Sequence, residues 1–96
     1  MPWTIEFTPK AAKALARLGK EAERRVLKFM RERVACLSDP RALGGALKDP
    51  RFAGLWRYRA GDYRILCEIQ DEKINILVVV VGNRQEVYSQ KRKNVQ

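Results

Sequence analysis

The spacing of apolar residues along the chain predicts a short strand followed by a helix. Residues 3–7 alternate between apolar and polar side chains, which is typical of a half-buried strand. A helix is expected from Pro9 to about Leu18, because Thr8 can cap its start and proline is favoured at the first helical position. Gly19 suits the left-handed conformation that often ends a helix.

A second helix is expected over residues 21–37, where apolar residues recur at intervals of three and four. Pro40 stops it. The two helices should form an antiparallel hairpin. The segment 41–50, which contains the adjacent pair Gly44 and Gly45, is predicted to be a loop with room for a short turn of helix.

Three strands follow, as an antiparallel meander over residues 54–59, 63–70 and 73–81. The pattern β-α-α-β-β-β predicts an α+β fold, in which a two-helix hairpin packs on a small antiparallel sheet. Residues 84–96 are expected to form a short C-terminal helix or tail. The 96 residues, 1–96, are expected to form a single domain.

The first predicted hairpin brings arginines together. Gly61 and Asp62 suit a two-residue turn, which places Arg59 opposite Arg64. Opposed residues share a face of the sheet, so that Arg57 lies on this face as well. Like charges that face each other destabilise a strand pair. An anion bound at this face, above all a phosphate backbone, offsets that cost.

The second predicted hairpin turns at residues 71–72, also with two residues. This turn places Cys67 opposite Ile76 and Ile65 opposite Val78. The middle strand is apolar on much of both faces, as expected for a central strand.

The positive charge of the chain limits the classes of partner that it is expected to bind. A formal net charge of +9 on 96 residues favours binding to nucleic acid, to an acidic protein or to an anionic membrane surface. A basic but inert surface is the alternative, and the clustering of arginines argues against it.

The residue inventory excludes several kinds of enzyme. The chain contains no histidine, which excludes Ser–His and Cys–His nucleophile pairs. Its acidic residues are scattered and give no carboxylate cluster for a metal-dependent nuclease. Gly44 and Gly45 lack the pattern of a phosphate-binding loop. Neither a metal nor another cofactor is therefore expected.

The cysteines and the N-terminus indicate a cytoplasmic protein. Cys36 and Cys67 have neither metal-type spacing nor a disulfide framework, and they are expected to be small core residues in a reducing compartment. The first residues lack the features of a signal peptide, and no apolar run is long enough to span a bilayer.

Cleavage of RNA is a reaction that these residues can still carry out. RNA supplies its own nucleophile, the 2′-hydroxyl beside the scissile phosphate. Arginine forks bind phosphate oxygens in a bidentate manner and can stabilise the charge that develops on them. Tyr88 could orient a group or carry a proton.

Three segments, residues 55–59, 61–66 and 81–88, resemble the RelE toxins of bacterial toxin–antitoxin pairs. They read Leu-Trp-Arg-Tyr-Arg, Gly-Asp-Tyr-Arg-Ile-Leu and Val-Gly-Asn-Arg-Gln-Glu-Val-Tyr. The resemblance covers nearly the whole chain and implies the RelE/ParE superfamily fold. It also implies a metal-free enzyme that cuts mRNA in the ribosomal A site and is held inactive by a RelB-type antitoxin, as a hetero-oligomer.

The resemblance implies five catalytic residues. Arg57 and Arg59 match two basic positions in the strand before the hairpin turn, and Arg64 matches the arginine that follows the turn. Arg84 matches an arginine that helps to protonate the leaving 5′-oxygen. Tyr88 matches a tyrosine that stacks on or orients the target nucleotide.

The sequence departs from the family at the general base. The family often has lysine where this chain has Arg57, and arginine stays protonated in proteins. Electrostatic catalysis is therefore expected, either with an undefined base, for which Lys48 is a candidate, or with a base lent by the ribosome. Four further cations are expected to bind RNA through its charge: Lys48, Lys91, Arg92 and Lys93.

The sequence is also compatible with other roles for these arginines and with other functions for the chain. Arg57 and Arg59 could form a solvated face with surface ion pairs, and Arg64 could pair with Glu68 along its strand. A ParE-like protein that poisons DNA gyrase would share the fold. A non-catalytic module that binds RNA or an antitoxin would need no general base.

Overall fold

The computed structural model describes residues 2–83, and the predicted C-terminal helix or tail at residues 84–96 lies outside them. The helices are α1 (Pro9–Arg17) and α2 (Lys20–Phe29). The strands are β1 (Thr4–Phe7), β2 (Gly45–Ala46), β3 (Trp56–Ala60), β4 (Tyr63–Gln70) and β5 (Asn75–Asn83). The connections contain a π-helical turn at Met30–Val34 and 3-10 turns at Pro40–Ala42, Pro50–Phe52 and Asp71–Lys73.

The start of the first helix confirms its predicted capping. The Thr8 hydroxyl oxygen accepts a hydrogen bond from the Ala11 backbone N–H at 3.1 Å, and Pro9 occupies the first turn. Gly19 lies between the helices with φ +103°, a conformation that side chains rarely adopt. No helix within residues 2–83 is long and apolar enough to cross a membrane.

The second helix departs from its prediction beyond residue 29. Its last part is a π-helical turn, closed by a 2.8 Å hydrogen bond from the Ala35 N–H to the Met30 carbonyl. Met30 and Val34 are both fully buried in this turn. The prediction of a regular helix over residues 21–37 is therefore wrong at its C-terminal end. A repeat of apolar residues does not distinguish an α-helical turn from the wider π-helical turn.

The sheet has five strands in the order β1-β5-β4-β3-β2. Strands β2 to β5 pair antiparallel, whereas β1 pairs parallel with β5. The prediction of a wholly antiparallel sheet is wrong at β1, since the two helices provide the long crossover that a parallel pair needs. The predicted α+β class, with a two-helix layer on the sheet, is confirmed.

The register predicted for the second hairpin is wrong. Gln70 lies opposite Asn75, so that the loop has four residues, and Ile74 completes it in the left-handed conformation with φ +51°. A bulge at Leu66/Cys67 shifts the register again. Cys67 therefore faces Val78 instead of Ile76, and Ile65 faces Val81 instead of Val78.

The core lies between the helices and one face of the sheet. The sheet contributes Tyr58, Ile65, Cys67 and Val78, all fully buried. From the helix layer it receives the buried residues Ala11, Leu15, Val26, Met30 and Val34. Tyr58 on β3 thus faces the helices, which leaves its sequence neighbours Arg57 and Arg59 on the other face.

Candidate functional site

The arginine hairpin has the register that the sequence predicts. Arg59 lies opposite Arg64 and Arg57 lies opposite Leu66. Tyr58 and Ala60, which alternate with the arginines, are buried, while Arg57 and Arg59 are exposed. The core therefore fixes the strand from one side and holds the two arginines toward solvent on the other.

A groove of about 790 Å³ lies beside this hairpin and is called the arginine groove below. Strand β2 covers only the start of β3, since it pairs with Trp56 and Arg57 alone. The groove is lined by Phe29, Arg33, Leu43, Gly44, Arg57, Arg59, Ala60, Gly61 and Arg64. Helix α2, the π turn, the loop before β2 and the arginine hairpin all contribute to it.

The loop that forms one wall of the arginine groove is tied to β3. The Trp56 indole N–H donates a 2.7 Å hydrogen bond to the Leu43 carbonyl, and the Tyr58 hydroxyl donates one of 2.7 Å to the Pro40 carbonyl. Gly44 has φ +80°, and a Cβ there would lie 2.2 Å from the Arg57 carbonyl oxygen. Only glycine permits this close approach.

The arginine groove concentrates positive charge. Among residues 2–83, four arginines and no carboxylate line it. Within residues 2–83, Arg57 and Arg59 make no ion pair, which goes against a solvated face held in surface pairs. Mutual repulsion of such a cluster is relieved when an anion binds.

Arg64 has a structural task in addition to its place in the groove. Its side chain is 8% exposed, and it donates hydrogen bonds to the carbonyls of Gly61 at 3.2 Å and of Tyr63 at 3.3 Å. Glu68, the partner considered from the sequence, accepts a 2.7 Å hydrogen bond from Gln70. Arg64 therefore braces the hairpin turn that carries the exposed arginines.

Among the other predicted site residues, Lys48 is the one that the structure describes. Lys48 is exposed on the loop after β2 and does not line the groove. The remaining predicted residues lie outside the described residues: Arg84, Tyr88, Lys91, Arg92 and Lys93. Asn83, at the end of β5, lies opposite Tyr63 and so at the end of the sheet that holds the hairpin turn.

The sequence pattern does not point to Arg33 and Phe29, which also line the groove. Arg33 lies in the π turn, and the usual helical spacing cannot indicate which way a residue in such a turn points. Phe29 lies on the predicted apolar stripe of the second helix and makes an edge contact with the Tyr58 ring. No signal in the sequence distinguishes it from a core residue.

The buried titratable groups near the site are poor acid–base catalysts. Burial raises the pKa of the Tyr58 hydroxyl and of the Cys67 thiol well above their usual ranges, so that both groups stay protonated at neutral pH. Within residues 2–83, no group of three or more His, Cys, Asp or Glu side chains is placed to hold a metal ion.

Comparisons with known proteins place this chain among bacterial toxins. The model of a protein family described as ParE toxin of type II toxin–antitoxin system, parDE, matches residues 5–88. Toxin RelG of Mycobacterium tuberculosis is 30% identical over 88 residues, which cover 92% of this chain and 98% of RelG. The mRNA interferase toxin RelE of Escherichia coli is 28% identical over 97 residues, which cover 99% of this chain and 99% of RelE.

Solved structures share the fold. A chain of the toxin–antitoxin complex RelBE2 from Mycobacterium tuberculosis superposes with a TM-score of 0.77 at 28% identity, over 88% of this chain and 93% of that one. The isolated RelE toxin of Escherichia coli superposes with a TM-score of 0.65, over 98% of this chain and 99% of that one. At 23% sequence identity, this likeness shows the fold alone. From the family match and these relatives, the chain belongs to the RelE/ParE family of toxins from type II toxin–antitoxin systems.

Proposed function

We propose that this toxin is an mRNA endonuclease that cuts mRNA on the ribosome without a metal. The arginine groove carries the proposal, because the described part of the chain places four arginines and no carboxylate there, beside a strand that is only partly covered. The name of a relative, the mRNA interferase toxin RelE, supports the same reaction class. The 1–96 chain acts in the cytoplasm as one domain.

The reaction uses the 2′-hydroxyl of the RNA as nucleophile. The 2′-oxygen attacks the adjacent phosphorus and the bond from phosphorus to the 5′-oxygen breaks, which leaves a 2′,3′-cyclic phosphate upstream and a 5′-hydroxyl downstream. A base takes the 2′-hydroxyl proton, and the leaving 5′-oxygen gains a proton. Charge that builds on the phosphate oxygens in the transition state is what the protein must stabilise.

Arg57 and Arg59 provide that stabilisation in our proposal. Both are exposed on the groove side of β3, and each guanidinium can bind two phosphate oxygens. A preorganised donor of this kind contributes on the order of 3–4 kcal/mol to the transition state. Arg64 binds the phosphate less directly, since it also holds the turn.

Residues outside the described part complete the proposed site. Arg84 follows β5 in sequence and stabilises the leaving 5′-oxygen, while Tyr88 orients the target nucleotide. Arginine stays protonated, so that the general base comes from the ribosome. Lys48 and the basic segment Lys91, Arg92 and Lys93 add charge that attracts RNA.

A RelB-like antitoxin is the proposed protein partner, in a hetero-oligomer. Solved relatives include RelB–RelE complexes from Pyrococcus horikoshii and Methanococcus jannaschii, which share the fold of this chain. A groove to which the described residues contribute four arginines and no carboxylate is complementary to an acidic segment that folds on binding. An antitoxin bound there would exclude mRNA.

Poisoning of DNA gyrase is the second candidate, because the matching family model describes ParE toxins. The two functions differ in substrate and are separable by assay. A gyrase poison would trap cleaved DNA and leave mRNA intact. It would not need arginines that stabilise a phosphate under attack by a neighbouring 2′-hydroxyl, because DNA has no such group.

Primer extension on a defined mRNA bound to ribosomes tests the proposal. The purified toxin should produce a discrete cut in the A-site codon, with a 5′-hydroxyl on the downstream fragment. Naked mRNA and the variant Arg84→Ala should give no cut. Intact mRNA with well-folded toxin would refute the endonuclease and direct the work to a gyrase supercoiling assay, while tight RNA binding without cleavage would indicate a non-catalytic module.

A further inference from the structure

The π turn Met30–Val34 carries two exposed arginines that line different grooves. Arg33 lines the arginine groove. Arg31 lines a second groove of about 360 Å³, called the helix groove below. The helix groove is formed along the outer side of α2 by Glu23, Arg24, Leu27, Lys28, Arg31 and Glu32.

The core fixes the direction in which each arginine points. Met30 and Val34 are fully buried at the two ends of the turn, and the Ala35 N–H closes it on the Met30 carbonyl. A π turn costs regular helical hydrogen bonding and is found often at functional sites. Here it holds Arg33 on the side of the strand arginines.

The surroundings of the two arginines differ in charge. In the helix groove, Glu23 and Glu32 accompany the cations. In the arginine groove, residues 2–83 give Arg33 three further arginines as lining neighbours and no carboxylate. Among residues 2–83, Arg33 makes no ion pair, so that its guanidinium donors are available to a ligand.

We propose that Arg33 binds a backbone phosphate of single-stranded RNA from the wall opposite the strand arginines. The RNA backbone then lies between two cationic walls, with β3 on one side and the π turn on the other. Arg33 acts in binding and leaves the scissile phosphate to Arg57 and Arg59. This inference rests on the proposed function, because it assigns RNA to the same groove.

Arg31 offers a matched control, since Arg31→Ala and Arg33→Ala remove the same charge from the same turn. The probe is a single-stranded RNA oligonucleotide, 2′-O-methylated throughout so that it cannot be cleaved. Its affinity for the free toxin is measured by fluorescence anisotropy over a range of salt concentrations. Arg33→Ala should weaken binding about tenfold. It should also lower the slope of log affinity against log salt by about 0.7, the value for one contact with a single strand.

Arg31→Ala should stay within about twofold of the wild-type affinity, and Arg33→Lys should keep the salt slope because it keeps the charge. Equal losses in Arg31→Ala and Arg33→Ala would overturn the inference, as would a wild-type toxin that does not bind the oligonucleotide at 50 mM salt. Urea unfolding of each variant should be unchanged, since both side chains are exposed.

Cleavage on the ribosome separates this inference from the proposed function. Arg33→Ala should raise the toxin concentration for half-maximal rate and leave the maximal rate within about threefold. If the wild type cuts mRNA and the two alanine variants behave alike, the inference fails and the endonuclease stands. If the wild type binds RNA through Arg33 but cuts nothing, the endonuclease fails and the inference stands.

Discussion

Two grooves meet at the π turn, and they differ in their carboxylates more than in their cations. The helix groove contains three cations, Arg24, Lys28 and Arg31, together with two glutamates. The arginine groove, as far as residues 2–83 form it, contains four arginines and no carboxylate. The number of cations alone would not distinguish the two surfaces sharply. The acidic residues do, because among residues 2–83 none lines the arginine groove, and Arg33, Arg57 and Arg59 make no ion pair there and can bind an external anion.

Ion pairs elsewhere on the surface reinforce this difference. Arg24 pairs with Glu21 at 2.8 Å, and Arg41 pairs with Asp71 at 2.8 Å through two parallel hydrogen bonds. Exposed pairs of this kind add little stability. The carboxylates do occupy the guanidinium donors of Arg24 and Arg41, however. These two arginines should therefore bind RNA phosphates less strongly than the arginines of the arginine groove.

The largest effect is expected from removing the strand arginines. The double variant Arg57→Ala/Arg59→Ala should cut mRNA on ribosomes at least about 10³-fold more slowly, since loss of one preorganised donor costs on the order of 10²–10³-fold. Single-turnover cleavage measures this rate. Folding should be retained, because both side chains are exposed and like-charge repulsion is relieved.

The helix groove provides the control for this variant. Arg24→Ala/Lys28→Ala removes two positive charges as well, from residues that line only the helix groove. We expect cleavage within a few-fold of wild type. Comparable losses from both double variants would show that total charge matters and that the comparison between the grooves carries no functional meaning.

The next effect concerns the wall of the arginine groove. Gly44→Ala places a Cβ against the Arg57 carbonyl in a positive-φ conformation, and it should destabilise the toxin by about 3–4 kcal/mol. Gly54→Ala has a similar φ of +85° but meets nothing within 4 Å, and it should cost about 1–2 kcal/mol. Urea unfolding measures both. Equal costs would mean that the loop is not held against β3.

A smaller effect is expected from the hydrogen bond that ties this loop to β3. Tyr58→Phe leaves the buried Pro40 carbonyl without its 2.7 Å donor and should cost about 1–2 kcal/mol in urea unfolding. Tyr63→Phe is the control, because the Tyr63 hydroxyl makes no hydrogen bond within residues 2–83. If Tyr63→Phe costs as much as Tyr58→Phe, the anchoring of the groove wall is not specific to Tyr58.

The sequence predicts the arginine hairpin because its turn leaves one register. Gly61 and Asp62 form a two-residue turn, Gly61 adopting φ +61°, and every opposed pair back to Trp56 follows from it. The second hairpin has no glycine at its turn. There Ile74 takes the left-handed conformation, which the local sequence does not indicate because isoleucine rarely adopts it, and the bulge at Leu66/Cys67 carries no signal in the sequence either.

The residues of the candidate site, too, include some that the sequence predicts and some that it does not. Arg57, Arg59 and Arg64 could be grouped from strand alternation alone, since opposed residues share a face. Arg33 could not, because it reaches the groove through a π turn and a tertiary approach of the helix to the hairpin. The approach of Gly44 to β3 is likewise a long-range contact, which a pattern of neighbouring residues does not contain.

The smallest effect is expected from a carboxylate outside both grooves. The Arg41 guanidinium holds the pKa of the Asp71 carboxyl below its usual range, mainly through their hydrogen bonds. A depressed pKa means that the pair stabilises the fold above the ordinary carboxyl pKa and that this contribution is lost as pH falls below about 4. Asp71→Asn should therefore make the loss of stability on acidification shallower, as measured by urea unfolding between pH 7 and pH 2.

Glu72→Gln is the matched control, since Glu72 is exposed beside Asp71 and makes no ion pair among residues 2–83. It should leave the acid profile unchanged. Both variants raise the net charge by one without adding a cation to either groove, so that cleavage should remain at the wild-type rate. A faster cleavage rate in both would show that distant carboxylates restrain RNA binding, and the local absence of acids in the arginine groove would then lose its special role.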